Sequence, residues 1–206
     1  MVKDIKTGKD AIIFLGKEMY GKDFNLDGED VCKIYETTYG YFVKNNKKEV
    51  KKSLLIIGGL GVGKSAMMKI MQRMFKDTPS RFKWVNAYEL KDLSEIYTTL
   101  QIKEMYGYDL KMDLYIDDIG VAVDVKRYGN TVNIITEILM ERYNLFINSG
   151  FKTHLSSNLL TSVLNESNSV TLKSVYGARI LDRIISYPLL CRLRVWSVSN
   201  RVKYIK

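Results

Sequence analysis

The chain has 206 residues, of which 46% are hydrophobic, and this length and composition fit one soluble domain with a buried core. Cys32, Cys191 and the single His154 are too few and too scattered for a disulfide framework or a metal site, and they favour a reducing compartment. The formal net charge of +9 favours an anionic partner, with nucleic acid the leading candidate, although an ordinary basic surface gives the same charge.

The N-terminal part, residues 1–50, is predicted to be a helical extension in front of a main domain at residues 51–206. Residues 1–10 are polar and contain no signal-peptide segment, and no run in the chain is as long as a membrane span, which predicts a cytoplasmic protein. Residues 1–30 are weakly patterned and predict at most one short helix. Apolar residues at three- and four-residue steps predict an amphipathic helix over residues 29–43, followed by a basic, solvated loop at residues 44–52.

A glycine-rich loop follows an apolar strand predicted at residues 54–57 and ends in Gly-Lys-Ser at the start of a helix predicted at residues 66–75, which is the pattern of a P-loop. Glycines let the backbone N–H groups converge, and the helix N-terminus favours an anion, so a polyphosphate fits there. Lys64 is expected to reach the β- and γ-phosphates and Ser65 to hold Mg²⁺. A plain glycine-rich turn would not explain that lysine and hydroxyl. The residues predicted to bind ATP are Gly58, Gly59, Leu60, Gly61, Val62, Gly63, Lys64, Ser65 and Ala66.

A second motif lies in the strand predicted at residues 113–120, after a strand at residues 82–87 and a helix, or a pair of helices, at residues 90–105. This strand places Asp117 and Asp118 at its carboxyl end, where ligands bind in open α/β sheets. Acids after an apolar run are common, but after a P-loop they fit a Walker B element. Asp117 would then hold Mg²⁺ through its water shell, and Asp118 would orient the attacking water.

The segment at residues 125–130 is predicted to be a short loop, and its adjacent cations Lys126 and Arg127 are candidates for contacts with DNA phosphates. A helix is predicted at residues 131–146 and a strand at residues 151–158. This strand ends in Asn158, which could hydrogen-bond the γ-phosphate or the attacking water. His154 lies inside the strand, where a structural role is favoured over a catalytic one.

A helix predicted from residue 176 places Arg179 and Arg183 on one face. This arrangement is typical either of a surface charge ladder or of arginines that reach a phosphate bound by a neighbouring subunit. A final strand is predicted at residues 192–199, followed by a basic tail at residues 201–206.

With these motifs in this order, the chain resembles the DnaC/IstB-type branch of the AAA+ ATPases, which contains bacterial and phage helicase loaders and transposon helper ATPases. The resemblance covers residues 50–206 and rests on residues 58–65, 116–120, 153–158 and 176–183. It implies an α/β P-loop sandwich of three layers around a central, mostly parallel five-stranded sheet. By this resemblance Asn158 is sensor 1, Arg183 or secondarily Arg179 is the arginine finger, and Arg201 is a candidate for sensor 2.

The resemblance implies a helicase loader that binds and hydrolyses ATP between the subunits of a homo-oligomer. Its partners would be single-stranded DNA and a hexameric replicative helicase of DnaB type. Aspartate at position 118, where many AAA+ proteins have glutamate, predicts slow or partner-stimulated hydrolysis. Residues 1–50 are short for the separate helicase-gripping domain of loaders, and a compact loader would suit a phage or a mobile element.

Three alternatives remain at this stage. The first is a transposition helper ATPase, which needs the same core and whose partner is a transposase. The second is a small-molecule phosphotransferase, for which the sequence has no clear arginine-rich lid. The third is a nucleotide-gated binding module that does not hydrolyse ATP.

Overall fold

The computed structural model describes residues 7–49, 53–120, 124–127, 130–160, 170–186 and 191–195. Its contacts group the chain into two compact units, one of residues 1–50, 58–81 and 193–206, and one of residues 51–57 and 82–192. The division at residue 50 into an extension and an ATPase domain stays a prediction. The elements in chain order are α1 (Gly8–Tyr20), α2 (Glu29–Asn46), β1 (Leu54–Gly58), α3 (Lys64–Phe75), β2 (Phe82–Asn86), α4 (Ala87–Ile96), α5 (Thr99–Tyr106), β3 (Asp113–Ile119), β4 (Asp124–Arg127), β5 (Asn130–Asn133), α6 (Ile134–Ser149), β6 (Thr153–Ser157), α7 (Leu172–Ser186) and β7 (Cys191–Val195).

The unit that contains the N-terminus is built from α1, α2 and α3. Helix α1 has 13 residues, more than the short helix that its pattern predicts, and a capping box fixes its start. The Thr7 side chain accepts from the Asp10 N–H, and the Asp10 carboxylate accepts from the Thr7 N–H. Helix α2 packs on α3 through aromatic rings, with Phe42 5.4 Å from Phe75 between ring centroids.

The second unit contains most of a five-stranded sheet with the order β2-β3-β6-β1-β7. The pairs β2/β3, β3/β6 and β6/β1 are parallel. Leu114, Tyr115 and Ile116 of β3 are fully buried in succession, which is typical of a parallel sheet covered on both faces. The α/β fold with a central, mostly parallel five-stranded sheet is therefore confirmed.

One local prediction is wrong. Residues 125–127 and 130, predicted as part of a loop, are strand residues, because β4 and β5 pair as an antiparallel hairpin in which Lys126 faces Thr131 and Arg127 faces Asn130. Residues 131–133, predicted as the start of a helix, belong to β5. The β-branched Val125, Thr131 and Val132 favour extended backbone over the first turn of a helix. No helix in the described ranges is both long and apolar enough to cross a bilayer.

A buried polar cluster joins the amino ends of β3 and β6. Arg142 of α6 is 1% exposed, and its guanidinium donates to three carbonyls and one hydroxyl at 2.8–3.0 Å. His154 is fully buried, and its Nδ1 accepts from the Leu54 N–H at 3.1 Å. Burial lowers the pKa of His154, so the imidazole is neutral near pH 7. This cluster holds the end of the sheet opposite to Asp117, which agrees with a structural role for His154.

Candidate functional site

The P-loop connects β1 to α3 and has the backbone that its glycines predict. Gly61 has φ 77° and Gly63 has φ 93°, backbone angles that residues with a side chain rarely adopt. Gly63 precedes the first residue of α3, no side chain caps this helix, and its first turn contains no acidic residue. The N–H groups at the start of α3 are therefore available to an anion.

Lys64 and Ser65 begin helix α3 and differ in exposure. Lys64 is 7% exposed, and its Nζ donates to the carbonyl oxygens of Gly58 at 2.7 Å and Gly59 at 2.9 Å. The ammonium group therefore lies inside the loop. The Ser65 side chain is exposed and available to a ligand.

A small cleft adjoins the P-loop within the same unit. Helix α2 supplies one wall through apolar side chains, and the other wall comes from the end of the P-loop and the first turns of α3. The lining residues are Val31, Ile34, Tyr35, Val62, Gly63, Lys64 and Met67.

Asp117 lies near the carboxyl end of β3 and is 3% exposed. Its Oδ1 accepts two hydrogen bonds, from the Ser156 hydroxyl at 2.6 Å and from the Tyr115 hydroxyl at 2.8 Å. Burial, followed by the neighbouring Asp117 carboxylate, raises the pKa of Tyr115 well above its usual value, so this hydroxyl stays a donor. The carboxylate is therefore held by one of its two oxygens.

A β-bulge in β3 places two consecutive acids opposite the same residue of β6. Ile116 pairs with Leu155 and Ile119 with Ser157, so Asp117 and Asp118 together face the single residue Ser156. Asp118 has φ 60°, a left-handed conformation that is uncommon for a residue with a side chain. In a regular strand these carboxylates would point to opposite faces.

Asp118 is held at its backbone by Ser156 of β6 and at its side chain by Asn158, which directly follows β6. Its N–H donates to the Ser156 hydroxyl at 2.8 Å, and its Oδ1 accepts from the Asn158 Nδ2 at 2.6 Å. The structure thus brings together the predicted residues Asp117, Asp118 and Asn158.

The predicted arginines lie on α7, which contains a break at Gly177, with φ 79°. Arg179 is exposed. Arg183 is half-buried, with its guanidinium 4.9 Å from the ring centroid of Tyr143 and in contact with the Met140 sulfur. Of the two arginines, Arg179 is the more exposed, and Arg183 packs against α6.

Two further predictions concern side chains that the structure does not describe. Arg201 lies outside the described residues. For Lys126 and Arg127 only the backbone is described, as part of the β4–β5 hairpin. The roles assigned to all the predicted site residues stay predictions.

The sequence interpretation missed Tyr115 and Ser156. Tyr115 precedes Asp117 by two residues on β3, and the two-residue period of a strand places both on one face, which is the signal that could have found Tyr115. Ser156 reaches Asp117 from the neighbouring strand β6, a contact for which the sequence carries no local signal.

No protein-family model and no curated protein sequence matches this chain. Its fold is similar to several solved structures. They include the DnaC helicase loader (17% identity over 85% of this chain and 95% of that chain, TM-score 0.55), DnaI (20% identity over 84% and 89%, TM-score 0.58) and a putative primosome component from Streptococcus pyogenes serotype M3 (14% identity over 95% and 100%, TM-score 0.58). At these identities the likeness concerns the fold. The chain therefore has the α/β P-loop fold that it shares with these proteins.

Proposed function

We propose that this protein is an ATP-dependent helicase loader that acts in DNA replication. The observation that carries the proposal is a P-loop sequence on a fold matched along nearly the whole length of DnaC, DnaI and a primosome component. The names of two of them indicate helicase loading and a primosome. We therefore prefer the loader over the transposition helper and the phosphotransferase.

ATP is the proposed ligand of the P-loop. The uncapped start of α3 provides N–H groups for phosphate oxygens, and the Lys64 ammonium now bound to two loop carbonyls would exchange them for phosphate oxygens. Both features lie within residues 58–67.

Mg²⁺ is the proposed metal, and Asp117 and Ser65 would hold it. Carboxylate and hydroxyl oxygens are the donors that Mg²⁺ prefers, so the residues fit the ion. The Asp117 carboxylate has one oxygen engaged by two hydroxyls, and no described residue donates to the other oxygen. Mg²⁺ would neutralise charge on the β- and γ-phosphate oxygens.

Asp118 is the proposed residue that orients the attacking water. Its carboxylate is bound to the Asn158 amide in this structure, at 2.6 Å. Its side chain is one methylene shorter than the glutamate that many AAA+ proteins have at this position, and slow basal hydrolysis that a partner stimulates is the expected consequence.

Assembly into a homo-oligomer is proposed to place Arg183 of one subunit at the γ-phosphate of the next, with Arg179 as the alternative. An arginine paired to the γ-phosphate across an interface would make the assembled state prefer ATP, and this preference is what would couple nucleotide to assembly. Arg183 would have to leave the Tyr143 ring, a cation–π contact that is worth about 1 kcal/mol when half-exposed. That cost is smaller than the free energy gained from a charge-assisted arginine–phosphate pair.

Single-stranded DNA and a replicative helicase of DnaB type are the proposed partners. The net charge of +9 supports a nucleic-acid partner, and Lys126 and Arg127 on the hairpin are proposed to contact DNA phosphates. The double variant Lys126→Ala with Arg127→Ala should bind single-stranded DNA more weakly, with a shallower salt dependence. Unchanged affinity and salt dependence would remove the hairpin from the DNA site.

The nucleotide part of the proposal is tested by binding of a fluorescent ATP analogue together with steady-state ATP turnover. Lys64→Ala should lose binding, whereas Asp118→Asn should bind and not turn over. Lys76→Ala, at the exposed C-terminal end of α3, is the matched control and should do both like the wild type. Equal binding by Lys64→Ala and the wild type would contradict the proposed P-loop.

A further inference from the structure

We propose that Ser156 and Tyr115 are residues that position a metal ligand, Asp117: they fix one oxygen of its carboxylate and thereby set the Mg²⁺ affinity of the nucleotide-bound protein. This inference rests on the proposed function, in which Asp117 holds the metal. Neither residue was among the predicted site residues.

The geometry is a convergence of two hydroxyls on one atom. Ser156 Oγ lies 2.6 Å and Tyr115 Oη 2.8 Å from Asp117 Oδ1. A carboxylate oxygen that accepts two hydroxyl donors cannot easily rotate away. The other oxygen therefore keeps one orientation, in which it is presented to a metal ion or to a metal-bound water.

Both donors are themselves immobile. Tyr115 and Ser156 are fully buried. The Tyr115 ring lies 4.5 Å from the Trp84 ring and 6.1 Å from the Phe82 ring, measured between centroids, on the neighbouring strand β2. Ser156 is fixed by the β3/β6 and β6/β1 strand pairings. Rigid elements on two sides of β3 thus hold the two hydroxyls at one carboxylate oxygen.

Ser156 also connects the two acids. Its Oγ donates to Asp117 and accepts from the Asp118 N–H at 2.8 Å, inside the bulge. Loss of this hydroxyl therefore removes one of the two donors to Asp117 and also the acceptor that holds the bulged backbone. We expect Ser156→Ala to have a larger effect than Tyr115→Phe for this reason.

The test measures binding of a fluorescent ATP analogue in EDTA and across a Mg²⁺ series. The variants are Ser156→Ala and Tyr115→Phe, which are nearly isosteric, and their folding is checked by thermal melting. Ser157→Ala is the matched control, because Ser157 is an equally buried serine on the same strand whose hydroxyl donates to the Ile119 carbonyl instead. Bound Mn²⁺, detected by electron paramagnetic resonance, gives a second reading of the metal.

Loss of a group that orients a metal ligand typically weakens metal binding about 10–100-fold. We expect the Mg²⁺ concentration for half-maximal effect to rise by about this factor in both variants, with affinity in EDTA unchanged and with wild-type behaviour in Ser157→Ala. Wild-type Mg²⁺ dependence in either folded variant overturns the role of that residue. An equal loss of affinity with and without Mg²⁺ also overturns it, because that pattern indicates a general structural defect. If the wild type binds no nucleotide in either buffer, the proposed function fails and this inference fails with it.

Discussion

Replacement of Arg142 by methionine should destabilise the protein strongly, although Arg142 lies far along β3 and β6 from the acids. The guanidinium donates to the carbonyl oxygens of Leu110, Met112 and Lys152 and to the Thr153 hydroxyl. Methionine has a similar length and no donor. The three carbonyls would remain in a region where the arginine itself is only 1% exposed.

The magnitude follows from these groups. A buried carbonyl that loses its donor costs about 1–3 kcal/mol, so three of them cost roughly 3–9 kcal/mol. Removal of the buried guanidinium also removes its desolvation penalty, which is several kcal/mol and partly offsets this loss. We therefore expect a net loss of about 3 kcal/mol in the free energy of unfolding. Arg142→Lys, with three donors for four acceptors, should lie between the wild type and Arg142→Met.

Urea unfolding followed by circular dichroism measures this loss. Arg81→Met is the control, because Arg81 is exposed, and it should change the free energy of unfolding by less than about 0.5 kcal/mol. A loss below about 1 kcal/mol for Arg142→Met would refute the reasoning, since it would mean that these carbonyls do not depend on the guanidinium.

Two further predictions concern Gly120 and His154. Gly120→Ala should destabilise by about 2 kcal/mol in thermal or urea unfolding, because Gly120 has φ 109° and a Cβ there would lie 2.7 Å from Leu159; an unchanged unfolding midpoint would contradict this. Burial lowers the pKa of His154, so the unfolded chain binds a proton more readily, and the stability of the wild type should fall as the pH drops below about 6.5. His154→Asn should flatten this slope between about pH 7.5 and 5.5, whereas an equal slope in both proteins would assign it to other groups.

The parallel sheet and the P-loop could be predicted because their signals are local. The apolar run of β1 leads directly into Gly-Lys-Ser, and only that chain order is needed to expect a phosphate loop before a helix. The similarity to helicase loaders that the motifs suggested is confirmed for the fold.

The β4–β5 hairpin and the full length of α1 could not be predicted as easily. The cations of residues 125–130 suggested a solvated loop, but the hairpin depends on cross-strand pairing, which a short polar stretch does not show. Helix α1 is defined by its Thr7–Asp10 capping box rather than by a clear apolar stripe.

Within the candidate site, sequence order placed Asp117, Asp118 and Asn158 on neighbouring strands. It did not predict the bulge at Asp118, because a register shift depends on both strands of a pair. The Ser156 hydroxyl on Asp117 was missed for the same reason, since it comes from β6. Contacts across strands, and not the motifs themselves, therefore determine how the acids are held.

In the proposed mechanism, the ATP site of one subunit is completed by an arginine of the next. Steady-state ATP turnover with and without single-stranded DNA, with sedimentation of the same samples, tests this mechanism for the wild type and Arg183→Ala. We expect the wild type to assemble with ATP and to be stimulated by DNA, and Arg183→Ala to bind ATP but neither to assemble nor to turn it over. A wild type that stays monomeric, with normal turnover by Arg183→Ala, would contradict this mechanism and indicate an ATPase that acts within one subunit.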